Sequence, residues 1–129
     1  MAEKPLSGRV ALITGGSRGL GKAMAIALAG GGAKLALVAR DKAKLEETAA
    51  AVQAAGSEAK IFVADVAKEA EVTRLQAEVK DAFGEVNILI NNAGMNLRKN
   101  LVDFTLEEWT RVMDTNLTSV FLMCRAFIP

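Results

Sequence analysis

The chain has 129 residues, of which 51% are hydrophobic and 24% charged, and its 16 basic residues nearly balance 15 acidic ones. No basic block favours nucleic acid, no apolar run approaches the ~20 residues that span a bilayer, and the N-terminus lacks the apolar stretch of a signal peptide. We therefore expect a single-domain, cytoplasmic protein with no nucleic-acid or membrane partner, and its lone cysteine and lack of histidine predict no metal site.

Four short apolar runs recur about 25 residues apart, a spacing that suits one strand and one crossover helix per unit. The runs are almost continuously apolar, as in strands buried on both faces of a parallel sheet. They are residues 10–13, 35–39, 61–64 and 86–90. We predict a strand at each run.

The segments between these runs have helical periodicity. Residues 20–29 are rich in alanine and precede three consecutive glycines, and the next two segments end at Gly56 and Gly84, which are candidate C-caps. The apolar stripes are Leu45, Thr48, Ala49 and Val52 in the second segment, and Val72, Leu75, Val79, Ala82 and Phe83 in the third. The order β-α-β-α-β-α-β predicts one α/β domain over residues 1–129, an open, doubly wound, mostly parallel sheet.

Residues 106–127 are predicted to form one long helix. Its main apolar stripe consists of Trp109, Val112, Met113, Leu117, Val120, Phe121, Cys124 and Ile128. Leu122 and Met123 add apolar surface on another face, so we expect the helix to need covering on more than one side. Because the fourth strand would also lie at an open sheet edge, we predict a domain that is truncated after this helix and unstable or dimeric alone.

A glycine-rich loop, Thr-Gly-Gly-Ser-Arg-Gly-Leu-Gly, occupies residues 14–21 between the first strand and the first helix. Small residues let the backbone turn sharply and let a pyrophosphate approach the N–H groups at a helix N-terminus. The spacing departs from the G-x-G-x-x-G dinucleotide fingerprint. Taken alone, the loop can also be a tight strand-to-helix connection.

With two further motifs, the loop resembles the short-chain dehydrogenase/reductase family, whose nucleotide loop has the form T-G-x-x-x-G-x-G. Asp65-Val66 follows the third strand and Asn-Asn-Ala-Gly at 91–94 ends the fourth, at the carboxyl ends where open α/β sheets bind ligands. The resemblance covers residues 8–129 as the N-terminal half of a Rossmann-like fold, and is nearest to 3-oxoacyl-carrier-protein reductases and similar sugar-acid dehydrogenases.

The resemblance implies a set of cofactor contacts in this dinucleotide-binding domain. They are Gly15, Ser17, Arg18, Gly19, Leu20 and Gly21 around the phosphates and adenosine ribose, Asp65 and Val66 at the adenine, and Asn92, Ala93 and Gly94 at the adjoining ribose. Structural alternatives stay open for two of the motifs. Asp65 can cap the helix that begins near Lys68, and Asn91-Asn92 can form a strand-ending turn.

The second strand ends with Ala39, Arg40 and Asp41. In NAD-binding relatives an acidic side chain here takes the ribose hydroxyls and would repel a 2′-phosphate. The family pattern places that acid at Ala39, which leaves the planar guanidinium of Arg40 to bind a phosphate, with Arg18 as a second cation. Asp41 lies where the general fingerprint expects its acid, but we assign it to the N-cap of the second helix. NADP(H) is therefore the predicted cofactor.

Asn116 falls on the apolar stripe of the last predicted helix. A buried amide left unpaired costs about 1 to 3 kcal/mol, so Asn116 should have a specific partner, and it can be a structural asparagine that bends the helix. In the resembling family, the asparagine of an Asn-Leu-x-x-x-Phe motif, matched here by residues 116–121, belongs to a catalytic tetrad, kinks the helix and helps to position a water in a proton relay. Asn116 is thus the implied catalytic residue.

The other tetrad members in that family are a serine, a tyrosine and a lysine, with the tyrosine as general acid. The chain contains no tyrosine and no histidine, so it has no evident proton donor for hydride transfer. One hypothesis is the cofactor-binding half of an NADP(H)-dependent reductase, inactive alone, whose parent acts on a small-molecule or carrier-bound carbonyl and forms a dimer or tetramer. The other is a non-catalytic NADP(H)-binding or interaction module.

Overall fold

The computed structural model describes residues 4–17 and 19–129. Its strands are β1 (Val10–Thr14), β2 (Lys34–Ala39), β3 (Ala59–Val63) and β4 (Ile88–Ile90), and its helices are α1 (Gly19–Gly30), α2 (Lys42–Ala54), α3 (Glu69–Phe83), a 3₁₀ turn (Leu101–Asp103), α4 (Leu106–Met113), a π-helical turn (Asp114–Thr118) and α5 (Ser119–Phe127). The predicted alternation of strands and helices is confirmed. None of the described helices is long and apolar enough to cross a membrane.

The four strands form one parallel sheet in the order β3-β2-β1-β4. The chain builds outwards from β1 to β3 and then crosses to the other side of β1 for β4. This reversal is the topological switch point at which open α/β sheets bind ligands, beyond the carboxyl ends of the strands. Within the described residues β4 pairs with β1 alone, so the predicted open edge is confirmed.

Helices cover both faces of the sheet because alternate side chains of each strand point in opposite directions. On one face, Ile13 and Leu37 pack with α1 and α2 and are fully buried. On the other face, Leu12 and Val38 pack with α3 and α5 and are also fully buried. Two-sided burial explains why the central strands are apolar at nearly every position.

The ends of α2 and α3 agree with the sequence prediction. The Asp41 side chain accepts a hydrogen bond from the backbone N of Lys44 at 3.1 Å, so Asp41 is the N-cap of α2. Gly84 is the C-cap of α3 with φ +76°, and Gly56, with φ +93°, lies just beyond the C-cap of α2. Both backbone conformations favour glycine.

The predicted helix over 106–127 is confirmed in its bounds, but the predicted main stripe is not the face that packs on the sheet. A π-helical turn divides it into α4 and α5, and the face that packs on the sheet is that of Leu122 and Met123, which are 4% and 0% exposed. The main predicted stripe is largely at the surface, with Trp109, Leu117 and Phe121 at least half exposed. Both faces are apolar, so periodicity could not decide which one the sheet covers.

Candidate nucleotide-binding cleft

The carboxyl ends of the strands border a cleft of about 430 Å³. It is lined by nine of the residues predicted to bind the cofactor: Gly15, Ser17, Gly19, Arg40, Asp65, Val66, Asn92, Ala93 and Gly94. Leu20, Gly21 and Asn116 are not among its lining residues, and Arg18 lies outside the described residues. Three motifs that are distant in sequence are therefore brought together in one place.

The glycine loop meets the first turn of α1 at the floor of the cleft. Gly15 and Gly19 have φ values of +67° and +58°, a conformation that side-chain-bearing residues rarely adopt. The first N–H groups of a helix lack intrahelical partners and carry the positive end of its dipole. The floor therefore has the chemistry of an anion site.

Gly21 has a packing role rather than a lining role. It is buried, and a Cβ added there would lie 2.2 Å from the carbonyl oxygen of Gly15 and 2.7 Å from Asn92 Nδ2. Any side chain at this position would push α1 away from the loop. The third glycine of the motif thus sets the distance between the helix and the phosphate loop.

Thr14, which is not among the predicted site residues, joins the loop after β1 to the loop after β4. Its side chain is buried, and its Oγ1 accepts hydrogen bonds from the backbone N of Asn92 at 3.0 Å and of Ala93 at 2.9 Å. Asn92 Nδ2 donates in turn to the carbonyl oxygen of Gly15 at 3.1 Å. The available signal was a hydroxyl residue at the end of a buried strand, a polar group that requires partners.

These contacts decide between the alternatives that the sequence left open. The side chain of Asp65 accepts from the backbone N of Ala67 at 3.0 Å, whereas α3 has Lys68 at its N-cap without a side-chain cap, so Asp65 does not cap the helix. The amide of Asn92 bonds across the sheet to Gly15 and not to its own turn. Both residues shape the cleft walls.

Charged residues gather where β2 ends and α2 begins. Arg40, Asp41 and Lys44 all line the cleft there, two of them positive and one negative. Asp41 is the N-cap of α2, and the three side chains together have a formal charge of +1. Lys44 was not predicted, although its place in the first turn of α2, beside the strand end that carries Arg40, was a usable signal.

Asn116 lies in the π-helical turn, a feature that often marks functional sites. Its Oδ1 accepts from the backbone N of Met95 at 2.7 Å and its Nδ2 donates to the Met95 carbonyl oxygen at 2.8 Å. The prediction of a specific partner for Asn116 is confirmed. The prediction of burial is wrong, because Asn116 is exposed. Its neighbour Thr115 lines the cleft.

The loop that follows β4 is held at its far end by an ion pair. Lys99 Nζ lies 2.6 Å from Glu108 Oε2, and Glu108 and Thr105 form a capping box at the start of α4. The Lys99 ammonium and the backbone N–H of Thr105 hold the pKa of Glu108 below its ordinary value. Lys99 therefore has a structural role, because it pairs with Glu108 at the start of α4.

The family assignment follows from comparison with known proteins. A family model described as short chain dehydrogenase matches residues 9–129. This chain belongs to the short-chain dehydrogenase family. The members of this family are oxidoreductases that use nicotinamide cofactors.

Individual relatives of this short-chain dehydrogenase chain agree in fold and differ in their cofactor. A 3-oxoacyl-[acyl-carrier-protein] reductase from Synechocystis is 41% identical over 94% of this chain and 49% of that protein. NAD⁺-bound xylitol dehydrogenase superposes with a TM-score of 0.91 at 33% identity, covering 96% of this chain and 48% of that one. An alcohol dehydrogenase from Thermococcus sibiricus, complexed with 5-hydroxy-NADP, has a TM-score of 0.89 at 38% identity, covering 93% and 52%. The chain spans about half the length, or less, of the curated relatives it matches.

Proposed function

We propose that this chain is the cofactor-binding half of an NADP(H)-dependent oxidoreductase that reduces a carbonyl to an alcohol, similar to 3-oxoacyl-carrier-protein reductases. The observation that carries the proposal is the convergence of three motifs, the glycine loop, Asp65-Val66 and residues 92–94, on one cleft. The proposed substrate is a small-molecule or carrier-bound carbonyl compound. The similarity to the Synechocystis reductase supports this class of substrate.

The residues of the cleft fit the chemistry of a dinucleotide. A Cβ at Gly19 would meet no described atom within 4 Å, so the space beside the first turn of α1 is open for a pyrophosphate. Asp65 and Val66 would hold the adenine, and Asn92, Ala93 and Gly94 would line the adjoining ribose. Leu20 and Gly21 do not line the cleft, so in this proposal they contribute only through the backbone N–H groups of the first turn of α1.

Charge at the end of β2 favours NADP(H) over NAD(H). A 2′-phosphate needs an excess of cations beside it, and in this part of the cleft Arg40 and Lys44 outnumber the single carboxylate of Asp41. Arg18 is a proposed third cation. The planar fork of Arg40 suits two phosphate oxygens.

The bound cofactor would supply the hydride for carbonyl reduction. Asn116 is the catalytic residue that the resemblance proposes, and its two hydrogen bonds to Met95 support a role in holding the loop after β4 beside the cleft. The 129 residues include no tyrosine and no histidine to give a proton to the reduced carbonyl. We therefore propose that this chain by itself binds NADP(H) without turnover.

A second candidate function is a non-catalytic NADP(H)-binding or interaction module. The absence of tyrosine and histidine from the 129 residues is the observation that favours it. Turnover of a ketone by a polypeptide that contains these residues together with the serine, tyrosine and lysine of the family would decide for the enzyme. Cytoplasmic location and assembly as a homo-oligomer, a dimer or tetramer, stay predictions.

The cofactor preference is tested with Arg40→Ala. Removing the guanidinium should weaken NADPH binding by about tenfold, the value of one charge-assisted hydrogen bond, and leave NADH binding within about twofold. Dissociation constants for both nucleotides from titration calorimetry provide the measurement. Arg98→Ala, which removes an exposed arginine outside the cleft, is the matched control. An Arg40→Ala chain that keeps its full preference for NADPH would contradict the assignment.

A further inference from the structure

The adenine end of the cleft is formed by residues 64–66, which follow the outer strand β3. Because β3 is an outer strand of the described sheet, the segment that continues it has a neighbouring strand on one side only. Ala64 N donates to the Ala39 carbonyl oxygen at 3.0 Å, and Val66, 6% exposed, is anchored in the core beneath α3. Asp65 lies between these two anchors, and its carbonyl oxygen accepts a hydrogen bond from Lys68 N at 3.1 Å. Its backbone N–H makes a further contact outside this turn.

That contact comes from Glu71 in the first turn of α3. Its Oε1 accepts a hydrogen bond from the backbone N of Asp65 at 2.9 Å. The Glu71 side chain is 32% exposed, so the bond is partly shielded from competing water. An acidic residue in a first turn ordinarily serves its own helix, whereas this one reaches back to the cleft wall.

Arg74, one turn further along α3, holds the other side of the same segment. Its Nη2 donates to the Val63 carbonyl oxygen at 3.0 Å and lies 3.7 Å from Glu71 Oε1. The two groups that α3 holds, the Val63 carbonyl and the Asp65 amide, flank Ala64 on either side. Glu71 and Arg74 together therefore fix the backbone that leads into the adenine end.

We propose that Glu71, supported by Arg74, is a positioning residue that determines how well the cleft recognises adenine, an inference that rests on the proposed function. One carboxylate oxygen of Asp65 is occupied by the Ala67 amide. The other has no hydrogen-bond partner within the described part of the chain and can accept from the amino group of adenine. Hydrogen bonds weaken steeply as geometry departs from linear, so a displaced Asp65 loses this contact.

The test separates the reach of Glu71 from its charge. Glu71→Asp keeps the charge but shortens the side chain by one methylene, whereas Glu71→Gln keeps the length and an acceptor oxygen but removes the charge. The probes are NADPH and its hypoxanthine counterpart, in which an oxygen replaces the adenine amino group. Glu71→Asp should weaken NADPH binding by about five- to tenfold and reduce the preference for adenine over hypoxanthine, and Glu71→Gln should bind within about twofold of wild type.

The matched controls are Glu69→Asp and Glu69→Gln, in the same turn of α3. Glu69 Oε2 lies 3.1 Å from Arg125 on α5 and makes no contact with residues 64–66 among the described hydrogen bonds. Both controls should bind like wild type. The proposal is overturned if Glu71→Asp binds like its control, if Glu71→Gln loses as much as Glu71→Asp, or if affinity falls with the adenine preference unchanged.

Two outcomes distinguish the role of Glu71 from the proposed function on which it rests. If the wild-type chain binds neither dinucleotide, the proposed function fails. If it binds NADPH and the variants follow one of the three overturning patterns, only the role of Glu71 fails. Should Glu71→Asp not fold, amide hydrogen exchange replaces it: Asp65 N–H should be protected in wild type and in Glu71→Gln, and an unprotected Asp65 in wild type overturns the proposal.

Discussion

At the scale of single residues, Thr14 is the hydroxyl on which the geometry of the cleft depends. Thr14→Val keeps the shape but removes the acceptor for two backbone N–H groups, so the free energy of unfolding should fall by about 2 kcal/mol. Thr14→Ser should recover most of the loss. Urea denaturation measures both variants, with the exposed Thr73→Val as control. A Thr14→Val chain as stable as wild type would refute this role.

Lys44 is the other single residue that we expect to affect cofactor binding, because it makes the charge at the end of β2 positive. Lys44→Gln should weaken NADPH binding by about three- to tenfold at low salt and leave NADH binding unchanged, since only the former carries a 2′-phosphate. Lys42→Gln is the matched control, a lysine in the same turn that does not line the cleft. Equal losses for the two variants would indicate general attraction and no specific contact.

At this scale the sequence predicts the glycine loop and the lining motifs well, because three motifs occur together at the carboxyl ends of predicted strands. Glycine or asparagine alone would not suffice, since both are common in turns. Thr14 and Lys44 escaped prediction for physical reasons. A threonine also suits the end of any strand, and an exposed lysine suits any helix, so neither residue type stands out until the fold brings it to the cleft.

At the scale of elements, the capping box of α4 and its ion pair hold the loop after β4. Glu108→Gln keeps the capping box but loses the charge that Lys99 stabilises. Because the folded-state pKa of Glu108 is lowered, its charge contributes stability above the ordinary pKa of 4.5, and that contribution is lost as the pH falls through the lowered value.

The wild-type chain should therefore unfold at a higher temperature than Glu108→Gln at neutral pH, and the difference should shrink as the pH falls below the ordinary pKa of 4.5. Thermal melts at a series of pH values measure it. Glu107→Gln, next to it on the same helix, should show no such pH-dependent difference. A gap between wild type and Glu108→Gln that stays constant on acidification is inconsistent with this account.

The elements themselves were predicted from apolar runs and caps, and the helix over 106–127 shows where that approach stops. Apolar periodicity measures which faces can be buried, but Phe121 and Met123 are equally apolar and only the sheet decides that Met123 is covered. The π-helical turn at 114–118 was not predictable from periodicity, because apolar residues keep regular helical spacing straight through it, from Met113 and Leu117 to Phe121.

At the scale of the whole molecule, the sequence predicted a doubly wound parallel sheet, and the structure adds its strand order, β3-β2-β1-β4. Continuous apolar strands require helices on both faces, and a parallel sheet with crossovers places its ligand at the carboxyl ends. The two-sided core and the cleft therefore agree with the sequence prediction. Two apolar regions of the described surface are not covered: the exposed faces of α4 and α5, and the outer edge of β4. The sequence predicted both as regions that need covering.

The central claim is that NADPH occupies the cleft between the glycine loop, Asp65-Val66 and residues 92–94. It is tested most directly by titrating the isotope-labelled 129-residue chain with NADPH and following the backbone amide signals. We predict the largest shifts at Gly15, Gly19 and Asp65 and at residues 92–94, with little change at α4 and α5. Saturating NADPH without shifts at these residues, or with shifts confined to α4 and α5, would contradict the account.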